Sequence, residues 1–161
     1  MLFRSPAGVA RRAGLLSFRE VPAGAALVAQ GDRTTELLIV LAGEVEVVQA
    51  RPGRDTFFAP SLGVGSWFGE ASAHSHHPAL ATYRAKTAVR VAALEARLFS
   101  KLYAEDEEWK NRIDAGYQQQ LALHLRASSL CRELDEPSLQ RLQQQAELRT
   151  IEDGEIGRAH V

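Results

Sequence analysis

The fold class of this 161-residue chain is indicated most clearly by one segment, Leu37-Leu-Ile-Val-Leu41-Ala-Gly-Glu44-Val-Glu-Val-Val-Gln49. Its first five residues form a continuous apolar run, which is typical of a short strand buried on both faces. Ala42-Gly43 breaks that run, and Glu44–Gln49 then alternates polar and apolar side chains, as a strand with one buried face does. Two short strands divided by a glycine-containing break predict a β-rich domain.

Similar short runs lie on both sides of this stretch, and Gly, Pro and Asp separate them. Pro22-Ala-Gly24 and Gln30-Gly31-Asp32 are turn signals. The remaining predicted strands are Leu16–Val21, Ala26–Val28, Thr56–Ala59, Trp67-Phe68, Ala81–Ala85 and Val89–Leu94. About eight short strands at this spacing predict a β-sandwich, a jelly roll or a barrel.

The pattern changes after residue 94, where helical signals replace the short strands. Acidic residues come early in the segment 96–127 and basic residues late, which suits the helix dipole. We predict helices near 96–103, 106–127 and 136–146. The long helix carries an apolar stripe at four-residue intervals, which could be a homodimer seam or a face packed against its own or the next domain; its members are Trp109, Ile113, Tyr117 and Leu121.

Composition excludes several classes of protein. The formal net charge of −1 gives no support for direct nucleic acid contact, since phosphate binding needs clustered Lys and Arg. No apolar run reaches the roughly 20 residues that a membrane helix needs. The single cysteine, Cys131, cannot form an internal disulfide, and we expect it to be buried and the protein to be cytoplasmic.

An internal repeat suggests how the chain is organised. An offset of 130 residues places Phe18–Gly24 over Leu148–Gly154. We therefore predict one domain over 6–127 and the truncated start of a second copy over 128–154. Residues 1–5 and 155–161 match the translation of a short-read sequencing adapter, so we expect them to be foreign to the gene and exclude them from the fold.

Five motifs in a fixed order resemble a known family. They are Pro22-Ala-Gly24, Gln30-Gly31-Asp32, Ala42-Gly43-Glu44-Val45, Gly65-Ser-Trp-Phe68-Gly69-Glu70 and Arg84-Ala-Lys-Thr87. Together they resemble the cyclic nucleotide-binding domain of the catabolite activator protein family, of protein kinase A regulatory subunits and of cyclic-nucleotide-gated channels. The resemblance covers about residues 8–127. It implies an α+β fold: an eight-stranded antiparallel β-roll, which is a double-stranded β-helix or jelly roll, with N-terminal and C-terminal helices.

In that family the ligand lies in a phosphate-binding cassette that opens at Phe-Gly-Glu. The resemblance implies that Phe68-Gly69-Glu70-Ala71 opens the cassette here and that Ala79-Leu80-Ala81-Thr82 ends it. Backbone N–H groups at a helix start can hold an anion without a particular side chain. Glu70 would accept a hydrogen bond from the ribose 2′-hydroxyl, or it would only cap the cassette helix.

One position departs from the family pattern. The register from Glu70 forward and from Arg84 backward places Ala79 where the family has the arginine that pairs with the cyclic phosphate. A charge-assisted contact of that kind contributes about 1.5–3 kcal/mol. We therefore expect cyclic AMP or cyclic GMP to bind weakly or not at all. His76 and His77 could compensate, although an unperturbed imidazole is mostly neutral at pH 7.

Other functions find less support. The sequence has no nucleophile elbow and no phosphate-binding Gly-x-x-x-x-Gly-Lys loop, so we expect no enzyme activity. No Cys or acidic cluster completes a metal site around the cassette histidines, and we expect neither a metal nor a resident cofactor. The ligand would be a cyclic nucleotide or a related small anion, and the other partners would be adjacent domains of a longer protein. A transcription regulator and a ligand-free interaction module stay open as alternatives.

Overall fold

A computed structural model describes residues 16–51, 53, 55–69, 78–128, 130–131 and 133–146. Eight strands and three helices lie in this part of the chain. The strands are β1 (Leu16–Val21), β2 (Ala26–Val28), β3 (Glu36–Ala42), β4 (Val45–Gln49), β5 (Phe57–Leu62), β6 (Trp67–Phe68), β7 (Thr82–Ala85) and β8 (Val89–Glu95). The helices are α1 (Ala96–Glu105), α2 (Glu107–Ala127) and α3 (Glu136–Gln145).

The strands form two four-stranded antiparallel sheets. The first has the order β1-β8-β3-β6 and the second the order β2-β7-β4-β5. Each sheet therefore combines strands that are distant in sequence, as a β-roll requires. This arrangement confirms the predicted eight-stranded antiparallel fold with C-terminal helices, while the predicted N-terminal helix lies outside the described residues.

The core lies between the two sheets. Phe68 in β6 of the first sheet stacks on Tyr83 in β7 of the second, with ring centroids 4.5 Å apart and an interplanar angle of 9°. The central strand β3 is buried at Leu37, Leu38 and Val40, whereas Ile39 and Leu41 are half-buried. The predicted burial of this run on both faces is thus confirmed at three of its five positions.

Strand β5 runs further than the sequence pattern indicated. The predicted strand was Thr56–Ala59, but the strand runs from Phe57 to Leu62 and includes Pro60. β5 is an edge strand, and a proline can lie in an edge strand with its missing N–H on the unpaired side. The edge position therefore accounts for the longer strand.

The described residues fall into two compact units with a boundary between Lys110 and Asn111. The first holds the two sheets, α1 and the beginning of α2. Asp106 separates the two helices, since its backbone N–H still bonds to Leu102 O while its side chain accepts a hydrogen bond from Trp109 N at 3.1 Å. An Asp that caps a new helix in this way ends one helix and starts the next.

The second unit holds the rest of α2 and α3. The Arg126 side chain, almost fully buried, pairs with Glu136 and donates to Ala122 O at 3.1 Å. Asp135 caps α3 by accepting a hydrogen bond from Ser138 N. Cys131 is buried, as predicted. Of the predicted stripe on α2, Ile113 and Leu121 are buried within the chain itself, and the homodimer seam stays a prediction.

Candidate functional site

The predicted cassette begins at the end of β6. Phe68 is fully buried and belongs to the core between the sheets. Gly69 follows with a φ of +92°, a conformation that residues with a side chain rarely adopt. A Cβ atom there would lie 2.7 Å from the backbone oxygen of Glu36 and 3.5 Å from Thr34 Cγ2. Position 69 therefore needs glycine for two independent reasons, backbone angle and space.

The other end of the predicted cassette contacts the segment between β2 and β3. Ala79 donates its N–H to Asp32 O and accepts at its own oxygen from Gly31 N, both at 2.8 Å. This exchange of two hydrogen bonds fixes the backbone of Ala79 on the Gln30-Gly31-Asp32 turn. Two residues later Ala81 is fully buried, so the segment enters the core immediately before β7.

Two glutamines hold the last residues of the predicted cassette in place, Gln49 through its side chain and Gln30 through its backbone N–H. Gln49, which is 2% exposed, donates from Nε2 to Leu80 O at 3.0 Å. Gln30 donates its backbone N–H to Thr82 Oγ1 at 3.0 Å. The Gln30 side chain also exchanges two hydrogen bonds with the backbone of Ala50, at 2.8 and 3.0 Å. Because the Thr82 hydroxyl accepts this hydrogen bond from Gln30 N–H, its own O–H can still donate to another acceptor.

The sequence analysis did not single out Gln30 or Gln49 as site residues. A signal existed for Gln49, because the alternation of β4 turns Val45, Val47 and residue 49 toward the same buried face. A glutamine at such a position needs a hydrogen-bond partner. The identity of that partner, Leu80, could not be read from the sequence, since the two residues are 31 positions apart.

Six of the predicted site residues lie in the described part of the chain, before and after residues 70–77: Phe68, Gly69, Ala79, Leu80, Ala81 and Thr82. The other predicted site residues, Glu70, Ala71, His76 and His77, lie outside the described residues. Within the described ranges no group of three or more His, Cys, Asp or Glu residues could hold a metal ion.

The basic residues of the Arg84-Ala-Lys-Thr motif are engaged in ion pairs. Arg84 lies 3.4 Å from Glu46 on the neighbouring strand, and Lys86 Nζ lies 2.8 Å from Glu44 Oε1. The hydrogen bond from Lys86, together with one from Ser61, lowers the pKa of Glu44. Arg84 and Lys86 therefore already have carboxylate partners. Position 79 is an alanine and supplies no charge.

Comparison with known proteins identifies the domain. The family model described as the cyclic nucleotide-binding domain matches residues 18–106, which is more than half of the chain. The chain belongs to this family. The match begins in β1 and ends at Asp106, between α1 and α2. It therefore includes strands of both sheets and the whole of α1.

Relatives of this domain include regulatory subunits of protein kinases. A cAMP-dependent protein kinase regulatory subunit from Mycosarcoma maydis is 32% identical over 92 residues, which are 54% of this chain and 17% of that protein. The regulatory subunit of a cAMP-independent protein kinase A from Trypanosoma brucei is 25% identical with a TM-score of 0.60, over 73% of this chain and 45% of that one. The matched part is therefore less than half of either relative.

Two further solved structures bear on the site and the fold. A triple variant of the Trypanosoma brucei subunit, in which one substitution changes threonine to arginine, is bound to cAMP in its A site. It is 27% identical, with a TM-score of 0.56, over 68% of this chain and 42% of that one. A cyclic nucleotide-binding domain from Methylobacillus flagellatus is 22% identical, with a TM-score of 0.60, over 94% of this chain and 80% of that one, which shows the shared fold.

No helix among the described residues has the length and apolar character that crossing a membrane requires.

Proposed function

We propose that this chain is a sensor or regulatory module, rather than an enzyme, whose cassette lacks the phosphate-binding cation and binds cyclic AMP or cyclic GMP weakly or not at all. The observation that carries the proposal is that alanine occupies position 79. Its position in the register is that of the family's arginine, and its backbone is held on Gly31 and Asp32 by two hydrogen bonds of 2.8 Å. A frame for a cyclic nucleotide is therefore retained without the charge.

The comparisons support this reading by analogy. The Trypanosoma brucei relative is the regulatory subunit of a cAMP-independent protein kinase A, and its variant bound to cAMP carries an introduced arginine. A charge-assisted hydrogen bond contributes about 1.5–3 kcal/mol, which corresponds to roughly ten- to a hundred-fold in affinity. Loss of one arginine can therefore raise the dissociation constant well above the concentration at which the ligand is normally present.

The domain organisation belongs to the same proposal. We place the first domain at 6–127 and the start of a second copy at 128–154, so that the chain would be part of a longer cytoplasmic signalling protein. Ligand or partner binding at the cassette would then shift the C-terminal helices and alter an adjacent effector domain. Such a shift requires a ligand that binds one of the two states better.

Restoring the charge tests the proposal. Ala79→Arg should bind cyclic AMP at least tenfold more tightly than the wild-type chain, because the guanidinium meets the phosphate in a bidentate contact. Ala79→Met, with a similar length and no charge, is the matched control and should not gain affinity. Titration of the full chain with a fluorescent cyclic AMP analogue and with cyclic GMP measures both. Micromolar binding by the wild type, unchanged in Ala79→Arg, would contradict the proposal.

A further inference from the structure

Three of the sequence motifs, those in the β1–β2, β3–β4 and β7–β8 turns, meet at one end of the β-roll. Gly24 in the first turn donates its N–H to Ala85 O at 2.7 Å, and Ala85 N donates back to Ala25 O at 2.9 Å. A hydrogen bond of 2.8 Å from Lys86 N to Glu44 O ties the β7–β8 turn to the β3–β4 turn. These backbone contacts make this end of the roll a fixed frame.

An open cavity of about 560 Å³ lies beside these turns. Its volume falls within the roughly 300–1,000 Å³ that is typical of small-molecule sites. The cavity includes Ala42, the last residue of β3, whereas Gly69 at the start of the predicted cassette lies against Glu36, the first residue of that strand. A strand of seven residues separates its two ends by about 20 Å. The cavity is therefore a different place from the cassette.

Two opposite charges face each other in the lining of this cavity. Glu20 and Arg90 are directly opposite residues of β1 and β8, so their side chains project from the same face with Cβ atoms about 4.5–5.5 Å apart. Both residues are exposed, and their side chains form no ion pair or hydrogen bond within the described part of the chain. By contrast, Arg19 on the same strand is paired with Glu36. The Glu20 carboxylate and the Arg90 guanidinium are thus available to a ligand.

A β-bulge leaves room next to Arg90. In the pairing of β3 with β8, Arg90 lies opposite Ala42, and Leu41 is the extra residue of the bulge. A regular register would place the larger Leu41 opposite Arg90. Apart from the two charged residues, the lining is apolar and consists of Val21, Pro22, Ala42, Ala88 and Val89. The cavity therefore combines an acid and a base with an apolar wall.

We propose that this cavity binds a free α-amino acid with an apolar side chain. The α-carboxylate pairs with Arg90 in a bidentate contact, the α-ammonium pairs with Glu20, and the apolar side chain lies along the apolar wall. A zwitterion matches both charges, whereas a simple anion or cation would meet one of them as a like charge. Because both ion pairs are exposed, binding is in the millimolar range. The inference does not depend on whether the cassette binds a cyclic nucleotide.

The test titrates the full chain with L-leucine and follows the backbone amides by NMR. We expect shifts at Val21 and Val89 that saturate at millimolar concentration. Arg90→Gln and Glu20→Gln should each weaken leucine binding about three- to fivefold, since each removes one exposed charged contact. Arg97→Gln is the matched control, because Arg97 is an exposed arginine of α1 that does not line the cavity, and it should bind leucine like the wild type.

Two leucine derivatives separate the two contacts. Leucinamide lacks the carboxylate, so Arg90→Gln should not weaken its binding, and N-acetylleucine lacks the ammonium, so Glu20→Gln should not weaken its binding. Three results would overturn the inference: no shifts at Val21 and Val89 in tens of millimolar leucine, shifts confined to the cassette residue Gly69, or equal leucine affinity of the wild type and both glutamine variants.

Discussion

At the scale of single residues, Gly69 lies directly after β6 at the start of the predicted cassette, where only glycine fits. Its φ of +92° and the 2.7 Å approach of Glu36 O both exclude a side chain. We expect Gly69→Ala to lower the free energy of unfolding by about 3 kcal/mol or more, because backbone strain and a steric clash add. Urea denaturation of the full chain measures the change.

Gly65 provides the control for this prediction. It has a similar φ of +85°, but a Cβ there would meet nothing within 4 Å. Gly65→Ala should therefore cost only about 1 kcal/mol from backbone strain. An equal cost at the two positions would show that the contact with Glu36 does not limit residue 69.

At the scale of secondary-structure elements, the start of α3 depends on one ionised side chain. Hydrogen bonds from the Ser138 hydroxyl and then from its backbone N–H lower the pKa of Asp135. A pKa depressed in the folded state means that the carboxylate stabilises the fold fully above its unfolded value of 3.8 and loses that effect as the pH falls through the lower folded value.

Two variants of Asp135 test this. Asp135→Ala should reduce helix content and stability at pH 7, because the Ser138 N–H loses its acceptor. Asp135→Asn keeps a capping oxygen without the charge and should fall between wild type and Asp135→Ala at pH 7. The advantage of wild type over Asp135→Ala should shrink below about pH 4, as followed by circular dichroism. An advantage that stays constant from pH 7 to pH 2 would contradict the assignment of the cap.

At the scale of the whole molecule, Phe68 connects the two sheets of the roll. It is fully buried and stacked on Tyr83 across the core. Phe68→Ala should destabilise the fold by about 3–5 kcal/mol through lost packing and the cavity left behind. Phe58→Ala is the control, since Phe58 is 65% exposed and its loss should change the unfolding midpoint little. Similar effects of the two substitutions would argue against a core between the sheets.

Sequence patterns predicted the elements of this molecule well, because short strands with alternating or continuous apolar residues are a local signal. Strand β1 agrees with its predicted bounds, Leu16–Val21, and β5 differs because an edge strand tolerates Pro60. The predicted position of the cassette rests on the family resemblance rather than on periodicity. Neither could predict that Ala79 pairs with Asp32 or that Gln49 binds Leu80, since these contacts join positions 47 and 31 residues apart.

The loss of the phosphate-binding charge is tested by following the backbone amides of wild type and Ala79→Arg by NMR while cyclic AMP is added. We predict that Ala79→Arg binds at least tenfold more tightly and that the shifts concentrate at Gly69, Ala79, Leu80 and the loop around Asp32. Tight binding by the wild type, or shifts in Ala79→Arg that lie away from both ends of the cassette, would contradict the claim that this domain keeps a cyclic nucleotide frame and lacks its charge.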